Sequence, residues 1–203
     1  MGLLRRLFGP DIREIWQKLC QEIGGDFVEG GAWQGDKVEV RHGQWTIVLD
    51  MFHVHTGKVP VPFTRFRAAY VNPDQFRFRV TRRGVLNSLG KLFGAQDVQV
   101  GYADFDRDFI IKGNSEEKLK ALFANERLRN LLTAQPDVHF EVQDDEGWLG
   151  PDYPANTDAL LFLVKGVVDD VARLKNLFDL LAETLDQLCL IGSAYEGQPP
   201  LKL

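Results

Sequence analysis

Arginine recurs at every second position in two neighbouring runs, Phe63-Thr64-Arg65-Phe66-Arg67-Ala68-Ala69-Tyr70 and Phe76-Arg77-Phe78-Arg79-Val80, with Asn72-Pro73-Asp74-Gln75 between them. Side chains alternate across a strand, so each run carries charge on one face and apolar bulk on the other. Asn-Pro-Asp is turn chemistry, and the pair of runs therefore reads as a β-hairpin. A one-residue slip in pairing would turn every side chain of a strand over, so the segregating register is favoured, with Pro73-Asp74-Gln75 as a three-residue loop. It places Arg65, Arg67, Ala69, Arg77, Arg79 and Thr81 on one side and Phe66, Ala68, Tyr70, Phe76, Phe78 and Val80 on the other. Burial of Phe66, Tyr70, Phe76 and Phe78 is worth roughly 1.5–3 kcal/mol each, which outweighs any preference between turn types. The aromatic face is expected in the core, and the arginine face is expected exposed or bound to a partner.

The flanking sequence supplies a sheet and helices around this pair. Asp11 to Ile23 has a helical stripe of Ile12, Ile15, Trp16, Leu19 and Ile23, with Pro10 and Asp11 as a start and Gly24-Gly25 as a stop. Strands are predicted over 37–41 and 45–52, with His42-Gly43 as a tight turn, and again over 97–100, 105–112, 138–142 and 160–164. A short helix is expected over 84–93. A helical insertion capped by Asn114 or Ser115 follows, continues after Asn125, and carries Leu119, Leu122, Phe123, Leu128, Leu131 and Leu132. A long amphipathic helix runs from Val168 to Leu190. The fold class is α+β, an antiparallel sheet of about seven strands with the helical insertion and the long C-terminal helix. Helices on one face of the sheet, or a curved pleckstrin-homology-like sheet closed by the last helix, both fit. Residues 1–192 form a single domain and 193–203 a flexible tail.

Apolar content of 44% and charged content of 26% are ordinary for a globular chain of 203 residues. No apolar run is long enough for a spanning helix, and the N-terminus lacks the apolar stretch of a secretory signal. Cys20 and Cys189 read as buried small apolar residues, and a cytoplasmic location is expected. The net charge of −5 is divided unevenly: residues 1–100 carry 14 Lys and Arg against 10 Asp and Glu, the remainder 10 against 19. The basic surface can meet an anionic ligand or the protein's own acidic half.

Other clusters are weighed against structural roles. Asp104, Asp106 and Asp108 fall on alternate positions but lack the Gly and the distal Glu of an EF-hand loop. They are expected on the solvent face of a strand, some pairing with the arginine face. Asp50, His53 and His55 form a D-x-x-H-x-H group in which the two histidines share a strand face and Asp50 has opposite parity, so it is a weak metal candidate lacking a third ligand. Residues 1–9 echo residues 89–94 in apolar and basic character, which allows weak contact with an anionic membrane. Nucleic-acid binding is disfavoured, because single-strand readers present aromatics and basic groups on the same face. No nucleotide, hydrolase or metalloprotease motif is present, and no cofactor is implied.

Phe63-Thr64-Arg65, then Lys91-Leu92-Phe93-Gly94-Ala95-Gln96-Asp97-Val98, then Phe105-Asp106-Arg107-Asp108-Phe109-Ile110-Ile111-Lys112-Gly113-Asn114 with its following helix, resemble a bacterial protein family with no assigned activity, over residues 63–133. The resemblance implies a bacterial cytoplasmic protein and carries over no catalytic residue. The reading that follows is a non-catalytic binding module in which Arg65, Arg67, Arg77, Arg79, Arg82 and Arg83 engage an acidic protein or anionic ligand. Peripheral membrane association through residues 1–9 and 82–93 is the alternative, and a metal-dependent enzyme using Asp50, His53 and His55 is the second.

Overall fold

The computed structural model describes residues 11–31, 35–55, 60–84, 97–145, 153–195, 197, 199–201 and 203. In chain order the elements are α1 (Ile12–Ile23), β1 (Asp26–Val28), β2 (Lys37–His42), β3 (Trp45–His55), β4 (Pro60–Val71), β5 (Phe78–Arg82), α2 (Ala103–Asp108), β6 (Phe109–Gly113), α3 (Glu116–Phe123), α4 (Glu126–Thr133), β7 (His139–Gln143), β8 (Thr157–Lys165) and α5 (Val171–Leu190). The eight strands form one antiparallel sheet in the order β1-β2-β3-β4-β8-β7-β5-β6. The α+β class and the antiparallel sheet agree with the sequence reading.

The expected arginine hairpin does not form. β4 pairs with β3 and β8, β5 pairs with β6 and β7, and the two runs are separated by two strands. β8 explains why: it is buried on both faces through most of its length, and such a strand belongs in the middle of a sheet, where it displaces β5 from the side of β4. The Asn-Pro-Asp segment still turns the chain. Phe76 N–H donates to Asn72 Oδ1 and Asp74 Oδ1 at 3.3 and 2.9 Å, and Gln75 adopts a φ of 57°. But Asn72 also donates to Asp158 Oδ2 of β8 at 2.5 Å, anchoring the turn on the intervening strand.

Two further expectations are corrected. Residues 105–112 are not one strand: Ala103–Asp108 is a helical turn, because Asp106 accepts the N–H groups of Val100, Gly101 and Tyr102 at 2.8–3.1 Å and closes the chain on itself before β6. Residues 97–100 are not a strand, although Val98 N–H donates to Ile111 O beside β6. The helix expected over 84–93 lies outside the described residues apart from Gly84. The helix starts at Asp11, Ser115, Asn125 and Asp170 are each capped by that residue's side chain, and Gly24 ends α1 with a φ of 70°.

Alternation divides the sheet into a covered and an open face. Phe66, Ala68, Tyr70, Phe78, Val80, Phe140, Leu160 and Phe162 are buried toward the helices, with Phe66 edge-on to Phe178 of α5 and Phe78 edge-on to Phe123 of α3. Leu174, Leu177, Leu181, Leu185 and Leu188 of α5 complete this core. The opposite face carries Arg65 and Arg67 of β4 and Arg79 of β5. After α5, Ser193 and Ala194 are buried, and Tyr195 N–H donates to Val71 O at 3.0 Å, so the chain passes the end of β4 toward the open face.

Candidate functional site

One row of directly opposed residues crosses the open face from Glu39 through Val48, Arg67, Leu161, Glu141 and Arg79 to Lys112. Arg67 and Arg79 are thus separated by three inter-strand spacings, on the order of 14 Å, and form two sites.

The first site is built on Asp50. Its register opposite Arg65 places both Arg65 and, diagonally, Arg67 within reach: Arg65 Nε and Nη2 donate to the two carboxylate oxygens at 2.7 and 2.6 Å, and Arg67 Nη2 donates to Oδ2 at 2.8 Å. Two guanidinium groups therefore share one carboxylate. Arg67 is 12% exposed and Arg65 20%. Arg67 Nε is buried without a hydrogen-bond partner among the described residues. Arg65 also lies 5.0 Å over the ring of Phe52.

At the second site Arg79 Nε donates to Glu141 Oε2, while Glu141 Oε1 meets His139 Nε2 at 3.0 Å and the Gln143 amide at 2.8 Å. Glu141 is 3% exposed. Burial by itself would push its carboxyl up, yet the hydrogen bonds and charges of His139 and Arg79 hold it below the usual carboxylate range. This group is internally neutralised.

The remaining predicted arginines serve the fold. Arg77, just before β5, donates to Asp158 Oδ2 at 3.2 Å and to Asp144 Oδ2 at 2.6 Å. Burial tends to lower its pKa, but those two carboxylates raise it above the ordinary value. Arg82 has the parity of Val80 and points to the helix side, where it lies over Phe109 and donates to Thr133 O and Gln135 O at the end of α4. Arg83 is 4.0 Å from Asp97. Asp104 and Asp108 pair with Arg107 of their own helix, and Asp106 is committed to backbone N–H groups, so the expected pairing of these aspartates with the arginine face does not occur.

Asp50 and His53 lie on opposite faces of β3, with Asp50 held by the two arginines; the side chain of His55 is outside the described residues. Among the described residues no three His, Cys, Asp or Glu side chains gather as a metal site. Cys20 and Cys189 are thiols, not a disulfide, and burial raises the pKa of Cys20. The membrane candidate segments are described only at residues 82–84.

A cluster that sequence reasoning missed joins Lys118 of α3, Asp74 and Ser193. Lys118 Nζ donates to Asp74 and, at 2.9 Å, to Ser193 Oγ, which donates to Asp74 Oδ2 at 2.9 Å. A serine beside a lysine can be a nucleophile and base, but here the lysine is ion-paired with Asp74 and the serine is fully buried. The cluster ties the 72–76 turn, α3 and the end of α5 together. Residues 74, 118 and 193 are too far apart in sequence for any spacing to signal it.

Comparison with protein-family models, with curated proteins and with solved structures finds no match to this chain.

Proposed function

We propose that the chain is a non-catalytic interaction module whose open sheet face receives an acidic group of a partner at Arg65 and Arg67. The observation that carries this reading is the shared carboxylate: two guanidinium groups on Asp50 leave one positive charge in excess, on side chains that keep 20% and 12% exposure. A partly desolvated guanidinium is a strong, directional hydrogen-bond donor to a carboxylate or phosphate oxygen. Arg77 and Arg79, by contrast, already have carboxylates of their own. The resemblance to a bacterial family supports a bacterial, cytoplasmic setting for this module.

The test is fluorescence anisotropy with a labelled oligoglutamate peptide, and oligoglutamine as control. The expected result is saturable binding of oligoglutamate alone, weakening with salt and lost in Arg65→Gln/Arg67→Gln, while Arg107→Gln binds as the parent does. Equal binding to the parent and the double variant, both folded by circular dichroism, would overturn the proposal.

A further inference from the structure

Val48 and Ala69 lie on the open face, where no helix of the described residues packs, yet they are only 2% and 4% exposed. They share a groove with residues near position 200. Pro199, Pro200, Leu201 and Leu203 face Glu39, Arg41, Thr46, Val48 and Ala69 across a groove on β2, β3 and β4. We infer that this groove is a docking site for an extended, proline-containing aliphatic peptide, and that Pro199, Pro200, Leu201 and Leu203 are its resident occupant.

Three observations carry the inference. The segment leaves room beside it: a groove of about 380 Å³, partly open to solvent, is lined by both the segment and the sheet. Ligand grooves have volumes of this order. Among the described residues the attachment is also sparse. Along this stretch the hydrogen bonds reaching the sheet from described residues are Tyr195 N–H to Val71 O and Lys37 Nζ to Leu203 O, both 3.0 Å. Finally, the occupant is chemically suited to lie on a face. Consecutive prolines lack N–H groups and hold an extended conformation, so Pro199-Pro200 cannot add a strand to a sheet edge but can lay side chains on an apolar floor. The floor is Val48 and Ala69, and the Glu39 and Arg41 side chains at the rim offer an acceptor and a donor to the peptide's amides.

A tethered occupant competes with any free peptide at an effective concentration in the millimolar range. The inference is independent of Arg65 and Arg67. Its test uses the full chain and a labelled peptide with the sequence of residues 196–203. In the L201D/L203D variant of the whole chain, whose own segment is expelled by two charges at half-buried positions, the peptide is expected to bind at least about tenfold more tightly than to the parent. Thr46→Arg, at the half-buried wall, is expected to abolish binding in that background without disturbing the floor. Equal affinity for the parent and L201D/L203D would overturn the inference, as would binding that survives Thr46→Arg. A dimer of the parent that dissociates in L201D/L203D would overturn the intrachain assignment of the occupant. Hydrogen exchange on the same variants supplies a second reading: β2 and β3 amides should exchange faster in L201D/L203D and recover when the peptide is added, and no such recovery would count against the site.

Discussion

Glu141 shows how a single side chain on the open face can govern stability without taking part in recognition. Its carboxylate is buried and holds Arg79, His139 and Gln143. Glu141→Gln leaves a buried guanidinium without its countercharge, and the expected cost at neutral pH is about 3 kcal/mol in urea unfolding, in line with loss of one partner of a buried pair. The pH dependence follows from the lowered pKa. A carboxylate held below its unfolded value of about 4.3 contributes stability in full above that value and loses it as pH falls through the lower folded value. The parent and Glu141→Gln should therefore converge in stability on acidification, and a constant difference down to about pH 3 would count against the assignment. Nothing local in His139-Phe140-Glu141 announced this role. Alternation assigned each arginine to a face, but its partner depends on register across strands far apart in sequence, and Asp50, Asp158 and Glu141 each come from a different strand.

At the scale of elements, the legible parts are those in which one segment contains all of its own determinants. Helices α1, α3, α4 and α5 start at polar caps and carry apolar stripes, and they formed close to where those signals lie. Asp170 Oδ1 accepts the N–H groups of Ala172 and Arg173 at 2.8 and 3.2 Å, so Asp170→Ala should cost about 1 kcal/mol, while Asp170→Ser should cost less. Thermal unfolding of the pair measures the difference. Residues 105–112 misled because Asp104, Asp106 and Asp108 alternate as a strand would, while the capping chemistry of Asp106 curls the first half into α2. Gly113 records a constraint of the same kind, invisible in the sequence: a Cβ there would sit 2.8 Å from Arg77 O and 3.1 Å from Leu119 Cδ1. The first of these neighbours is backbone, which cannot step aside, so Gly113→Ala should destabilise by roughly 1–3 kcal/mol through overpacking at the junction of β6 and α3. A Gly113→Ala variant as stable as the parent in urea would show that β5 and β6 do not approach this closely.

For the whole molecule the decisive fact is the insertion of β8 and β7 between β4 and β5. Local turn chemistry at Asn72-Pro73-Asp74 favours joining the arginine runs, yet the apolar Leu160-Leu161-Phe162 stretch gains more from a central place, with Leu160 and Phe162 in the core and Leu161 only 4% exposed on the other side. Fully burying such a side chain is worth about 1.5–3 kcal/mol, against tenths for a preferred turn, so the long-range pairing wins. The consequence is a sheet whose centre closes late. β4 must wait for a strand about ninety residues downstream, and non-local pairing of this kind puts folding in the millisecond-to-second range. Backbone nuclear Overhauser effects should connect Ala68 with Leu160 and Val80 with Phe140, and none should connect β4 with β5. In refolding followed by pulsed hydrogen exchange, amides of the β2–β3 hairpin should gain protection before those shared by β4 and β8. Simultaneous protection would mean that β8 docks in the first collapse, and direct β4–β5 contacts would restore the hairpin and return all the arginines of these two runs to a single surface.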